Sequence, residues 1–181
     1  MTPRIPFLVQ THPKELIYRF PGKNISVVKA CFQLPDGRQV VHNIIEHPGA
    51  VLIVPFLGKD KILLLRQYRA ALQKDIYEFP AGTLEPGEPM LRCAKRELVE
   101  ETGFSAGRWE RLGKIYPVPG YSTEVITLYR ASELRPQEGL GDADEVIQVL
   151  RLTRRQIQAL WRKGQILDAK TICALSACRL I

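Results

Sequence analysis

The sequence predicts a mixed-sheet domain of the α/β (α+β) class, and three observations predict it. Two apolar hairpins occupy residues 25–68. A single segment of helical period follows at 89–102. Strand-like and helix-like runs then alternate irregularly to residue 180, with no internal repeat. A chain of 181 residues suits one domain and buries a core without disulfides or structural metal.

The elements follow in order. ISVVKACFQL and RQVVHNII are β-rich, with Pro35-Asp36-Gly37 as the turn between them. Val28, Ala30, Phe32 and Leu34 give this hairpin one apolar face. VLIVPFL and KILLLRQY form a second hairpin about Gly58-Lys59-Asp60, and their near-continuous apolar character predicts strands covered on both faces. In the helix, Pro89 fits the first turn and Gly103 the stop, while Leu91, Ala94 and Leu98 make the core stripe. KIYPVP and EVITLYRA read as strands joined through Gly120-Tyr121-Ser122. After the acidic EGLGDADE stretch comes a last strand, VIQVLRL. Thr153 caps a helix RRQIQALWRK ending at Gly164, and a final helix covers 168–180.

Composition excludes several classes. Nothing approaches the roughly 20 apolar residues of a membrane span. The first fifteen residues lack the pattern of a signal peptide, so a cytoplasmic protein is expected. The four cysteines form no CxxC pair; Cys93 and Cys173 read as buried free thiols. The net charge of +7 favours an anionic partner, but the late cluster Arg151, Arg154, Arg155, Arg162 and Lys163 is not interleaved with aromatics. A phosphorylated small molecule is therefore preferred over a nucleic acid.

The chemistry lies in GTLEPGEPMLRCAKRELVEETGF, residues 82–104. Glu97 and Glu101 are four apart and stack on one side of the helix, with Glu100 on the same edge. Carboxylates crowded beside a core repel one another unless a cation is present, and hard oxygen donors at this density suit Mg²⁺, with Mn²⁺ as a substitute. A helix of this composition alone reads more readily as a solvated acidic face paired with nearby Lys and Arg. The full pattern decides the matter: Gly82, Glu88, Arg96, Glu97, Glu100, Glu101 and Gly103 fill every fixed position of the Nudix box. Seven chance matches have odds of about 10⁻⁸ per starting point.

The chain thus resembles the Nudix hydrolases. The resemblance implies an α/β/α sandwich whose loop–helix–loop holds divalent metal through Glu97, Glu101 and the Ala81 carbonyl, with Glu100 as a further ligand and Arg96 orienting a carboxylate. EHPGAVLIVPF, RQYR, YEFPAGTLEPGE, YPVPGYSTE and GQILDAKTICAL are similar to the ADP-ribose pyrophosphatase branch, and Pro119 stands about fifteen residues after the box, as in that branch. The resemblance implies magnesium-dependent hydrolysis of a nucleoside diphosphate linked to another moiety, ADP-ribose giving AMP and ribose 5-phosphate.

It also implies substrate contacts from Arg66, Arg69, Gly82 and Glu124. Arg66 and Arg69 read equally as surface ion pairs. Glu145, before the last strand, is the implied extra ligand or base. Ala143 stands where some relatives carry that base, leaving it open among Glu145, Asp144, Glu100 and the metal site itself. His42-Asn43 replaces an Arg-Glu pair of relatives, making His42 a weaker phosphate contact. Residues 1–45 are expected to form an N-terminal hairpin extension for dimerisation and substrate cover, and 46–181 the hydrolase domain, in a homodimer. The alternatives are GDP-mannose or dinucleoside polyphosphate hydrolysis, and, in a different class, a non-catalytic nucleotide-sensing module. Such modules usually lose box carboxylates, and this chain keeps them.

Overall fold

The computed structural model describes residues 8–138 and 146–181. The described residues up to Pro48, with Val118–Glu124, form one compact unit; those of Gly49–Pro117 and Val125–Ile181 form a second.

The first unit is an antiparallel sheet of β1 (Val9–Gln10), β2 (Glu15–Arg19), β3 (Ser26–Gln33) and β4 (Gln39–Glu46), with β3 pairing all three others. The expected β3–β4 hairpin is present, in register from Ser26↔Glu46 to Gln33↔Gln39. Its turn uses Gly37 at φ 88°, and Asp36 Oδ1 accepts from the Arg38 amide at 3.1 Å. Val28 and Ala30 are buried, and Phe32 and Leu34 are half-buried. Residues 118–124 join this unit by exchanging backbone hydrogen bonds around Ile45, to Tyr121 O and from Thr123 N.

The second unit holds a seven-stranded mixed sheet. Its main path runs β11 (Ile147–Thr153), β6 (Lys61–Arg69), β5 (Ala50–Leu57), β10 (Ile126–Pro136), β9 (Phe104–Ile115). β7 (Lys74–Glu78) adds to β6 and β8 (Ala81–Thr83) to β5. Among the described strands of this sheet, only the β5–β10 pair is parallel. The expected mixed α/β class is met. The β5–β6 hairpin is narrower than its apolar runs suggest: only Phe56↔Ile62 and Leu57↔Lys61 pair across it, after which each strand takes other partners.

β5 explains the layering. Its side chains alternate between faces, as the pleat requires. Val51 and Ile53 pack with Cys93, Ala94 and Leu98 of α1 (Met90–Thr102). Leu52 and Val54 pack with Ile157 of α2 (Arg154–Arg162) and with Ala174 and Leu175 of α3 (Ala169–Ala177). The sheet is thus clad on both sides.

Several local expectations need correction. Pro89 is the N-cap of α1, extended at ψ 139°, so the helix begins one residue later. Leu91 is exposed, and the buried stripe is Cys93, Ala94, Leu98 and Thr102. Gly103 closes the helix in the left-handed region at φ 71°, as expected. Cys173 is exposed, because neighbours Ala174 and Leu175 carry the buried face of α3. Of KIYPVP only Lys114 and Ile115 are in a strand, since Pro117 and Pro119 have no N–H for a ladder. β9 instead extends back through the polar run from Phe104. Thr153 caps α2 through a full capping box with Gln156.

Leu98 is fully buried between α1 and β5, so Leu98→Ala should lower unfolding stability by about 3 kcal/mol, part transfer and part cavity. Urea unfolding checks this. A loss well under 1 kcal/mol would mean that α1 is not anchored through this face.

Candidate active site

The site begins where β7 ends. Glu78 is the last residue of β7, and the chain then runs through Phe79 and Pro80 into β8 and the loop before α1. α1 presents Arg96, Glu97, Glu100 and Glu101 at the margin of its buried stripe, so none is deeply buried and none fully exposed. Their i, i+1, i+4 spacing lets one guanidinium reach several carboxylates.

Arg96 does so. Its Nε and Nη2 donate to the two oxygens of Glu88 at 3.1 and 3.0 Å. Its Nη1 donates to Glu97 Oε1 at 2.8 Å and Glu100 Oε2 at 2.9 Å, and Nη2 also reaches the Thr83 carbonyl at 3.3 Å. The planar five-donor group suits this multiple engagement as a lysine would not. The hydrogen bonds from Arg96 hold the Glu88 carboxyl below the usual carboxylate range. In turn the Glu88 bond, with the charge of Glu97 and the Glu100 bond, raises the Arg96 pKa against the opposing effect of burial. Arg96 therefore orients carboxylates, as expected.

Two backbone features complete the arrangement. The Ala81 N–H donates to Glu101 Oε2 at 2.9 Å. A Cβ on Gly82 would overlap the Glu97 carboxylate, so the glycine there is a steric requirement. Beneath them Cys93 is buried, its Sγ 3.7 Å from the Thr83 carbonyl and accepting from Arg96 Nη2 at 3.4 Å. Burial, with the charges of Glu97 and Glu88, pushes its thiol up to about 12, which leaves it an inert packing group.

Among the described residues no three His, Cys, Asp or Glu side chains converge as a ready metal cluster, because the box carboxylates are turned to Arg96 and to the Ala81 amide. The donor chemistry still fits a hard divalent cation. Glu97, Glu100 and Glu101 offer carboxylate oxygens from adjacent turns, and the absence of a side chain at Gly82 lets the Glu97 carboxylate lie against the backbone. Glu145, with Asp142, Ala143 and Asp144, lies outside the described residues.

Arg66 is paired across β6–β7 with Asp75 at 2.7 Å, on the surface. Arg69 engages both oxygens of Glu78. His42 and Glu124 belong to the first unit. The His42 ring meets Phe32 edge-on, and the Glu124 carboxylate lies 3.9 Å from His47 Nε2. Burial lowers the His47 pKa while Glu124 works the other way.

The sequence reading missed Glu78. Its side chain is buried, and besides Arg69 it accepts from Lys170 Nζ at 3.0 Å; Lys170 also reaches Asp168 at 2.9 Å. An acidic residue inside an otherwise apolar run, YEFP, was the available signal: such a residue is buried only with partners.

Residues 46–172 match the NUDIX domain. The chain belongs to the NUDIX family. ADP-ribose pyrophosphatase of Bacillus subtilis (strain 168) is 35% identical over 173 residues, covering 94% of this chain and 92% of that one. The methanol dehydrogenase activator of Bacillus methanolicus is 35% identical over 163 residues, covering 89% and 88%. A solved structure described as an ADP compounds hydrolase superposes with a TM-score of 0.85 at 24% identity, over 98% of this chain and 95% of that one, a likeness of fold. The NUDIX assignment made from the box, and the ADP-ribose pyrophosphatase resemblance around it, agree with these relatives.

Glu78 supplies a test of the charge network behind the NUDIX box. Burial alone would raise its pKa, but the hydrogen bonds and charges of Arg69 and Lys170 win and lower it from 4.5. A depressed carboxylate stabilises the fold above its unfolded pKa, and that contribution disappears as pH falls through the folded value. Glu78→Gln should cost about 2 kcal/mol at neutral pH. Its deficit against wild type should shrink below pH 4.5. Urea titrations across pH check this, and a pH-independent deficit would refute it.

Proposed function

We propose that this NUDIX protein hydrolyses the diphosphate bond of a nucleoside diphosphate linked to another moiety, converting ADP-ribose to AMP and ribose 5-phosphate in the cytoplasm. The observation that carries the reading is the Arg96 clamp on Glu88, Glu97 and Glu100, with Glu101 set by the Ala81 amide. The near full-length similarity to an ADP-ribose pyrophosphatase supports the substrate.

Glu97, Glu100, Glu101 and Glu145, with the Ala81 carbonyl, would hold Mg²⁺ or, in its place, Mn²⁺. Bound there, a divalent cation neutralises charge on the diphosphate and acidifies water. The chain's own residues do the rest. Arg96 holds Glu88, Glu97 and Glu100 in fixed positions, so little reorganisation is needed on loading. The Gly82 backbone, against which the Glu97 carboxylate lies, offers a substrate contact. Arg69, its fork already oriented by Glu78, and Arg66 offer cationic contacts to the phosphates. Glu124 offers an acceptor for ribose hydroxyls and His42 a weak phosphate contact. The base lies among Glu100, Asp144, Glu145 and the metal site itself, and a proton is taken up there as water adds to phosphorus and the P–O bond to the leaving phosphate breaks.

A panel of ADP-ribose, GDP-mannose and diadenosine polyphosphates with Mg²⁺ tests the reading, with the highest kcat/KM expected for ADP-ribose. Glu101→Gln should abolish turnover, a loss beyond the roughly hundredfold that removal of a partner behind a metal ligand can cost. It should leave metal-free thermal stability equal or higher, since crowding of like charges is relieved. Wild-type turnover in this variant would remove Glu101 from the site.

We further propose that residues 1–45 mediate a homodimer and cover substrate, with 46–181 as the hydrolase domain. Leu16, Ile17, Tyr18, Phe20 and Val41 of the small sheet are all at least 40% exposed, more apolar surface than one such sheet usually leaves to water. Sedimentation at micromolar concentration should give twice the 20.5 kDa chain mass. An active monomer would overturn the dimer.

A further inference from the structure

The start of α3 is bonded to the first two of the four residues, 78–81, that lead into the site. β7 ends at Glu78, so the Phe79 N–H leaves the sheet ladder; it donates instead to Thr171 Oγ1 at 3.0 Å, inside the protein, with Thr171 fully buried. Next to it, Lys170 Nζ holds Glu78 Oε2 at 3.0 Å, and Arg69 holds Glu78 from β6. Asp168 caps α3 by accepting from the Thr171 amide at 3.0 Å and also binds Lys170 at 2.9 Å, so both residues are fixed by the helix they begin. Pro80 O accepts from Ile53 N at 2.8 Å. Ala81 then pairs with Leu52 and gives its N–H to Glu101.

Residues 78 and 79 are thus tied to α3, and residues 80 and 81 to β5, and the last of them sets a box carboxylate. A buried N–H without a partner is rare and costly, so Phe79 would rotate or shift if Thr171 lost its oxygen. Only two residues further on, the Ala81 amide would move with it. We propose that Thr171 and Lys170 are positioning residues for the Glu97–Glu101 carboxylate face, acting through residues 78–81. The proposal rests on the metal-dependent reading of that face. Neither residue touches the box.

The test reads Mn²⁺ binding to the intact protein by water-proton relaxation, without substrate, alongside kcat and KM. Thr171→Val removes the acceptor at nearly constant shape, and Thr171→Ser restores it. The valine variant should bind Mn²⁺ about tenfold more weakly, as expected when a partner behind a metal ligand is removed. Its kcat should fall more than its KM rises, and serine should return both toward wild type. Ile157→Val, on the buried face of α2 in the same core cluster as Phe79, controls for general loosening of that core and should lower the melting temperature without weakening Mn²⁺. Should Thr171→Val fail to fold, Lys170→Met carries the same measurement from a partly exposed position. Wild-type Mn²⁺ affinity in the folded variant, no rescue by serine, or equal weakening in Ile157→Val would overturn the proposal, as would a wild type that binds no Mn²⁺. A wild type that binds Mn²⁺ but hydrolyses no member of the panel would refute the hydrolase reading alone, and the Mn²⁺ comparison would still decide this one.

Discussion

Like charge crowded at the edge of a hydrophobic core is the constraint around which this structure is arranged. Glu97, Glu100 and Glu101 lie within two turns of α1, beside a stripe that must be buried, and Glu88 approaches from the preceding loop. Their repulsion is offset by Arg96, which contacts three of the four, and by the Ala81 amide, which takes the remaining one. The guanidinium suits this role because it stays charged beside apolar groups and donates along fixed directions.

The rest of the second unit serves that arrangement. β5 has alternating residues buried on two faces, so α1 is held on one side and α2 and α3 on the other. β8 pairs with β5 just before the box, which sets the height of Gly82 against Glu97. The Glu78 network then joins α3 to β6 and β7. An ion cluster this deep is weak as a source of stability, because desolvation offsets most of the attraction. Its value lies in direction: Glu78 can accept from both Arg69 and Lys170 only when β6, β7 and α3 are in place together.

The NUDIX relatives differ in what their names say they do, one a pyrophosphatase and another an activator of a dehydrogenase, at the same identity to this chain. A shared box and sheet accommodate such differences because specificity resides in loops and strand ends outside the carboxylate face.

Periodicity and spacing alone determined much of this. The hairpin at 25–45, the both-sided burial of VLIV, the stop at Gly103 and the Thr153 cap are local, dictated by side-chain period, turn chemistry and capping, and each is legible in a short window. The box is legible through its family resemblance, because its carboxylates lie within one loop and one helix at a fixed spacing. What needed the tertiary structure is everything whose partner is far away in sequence. Leu91 looks like a core residue, but only packing against β5 decides that Cys93 points inward instead. The polar run after Phe104 becomes a twelve-residue strand because β10 offers it a ladder. Glu78 is an anomaly in YEFP until Lys170, 92 residues later, arrives beside it. Local patterns are set by the chain's own stereochemistry; a buried charge is set by its partner, and only folding supplies the partner.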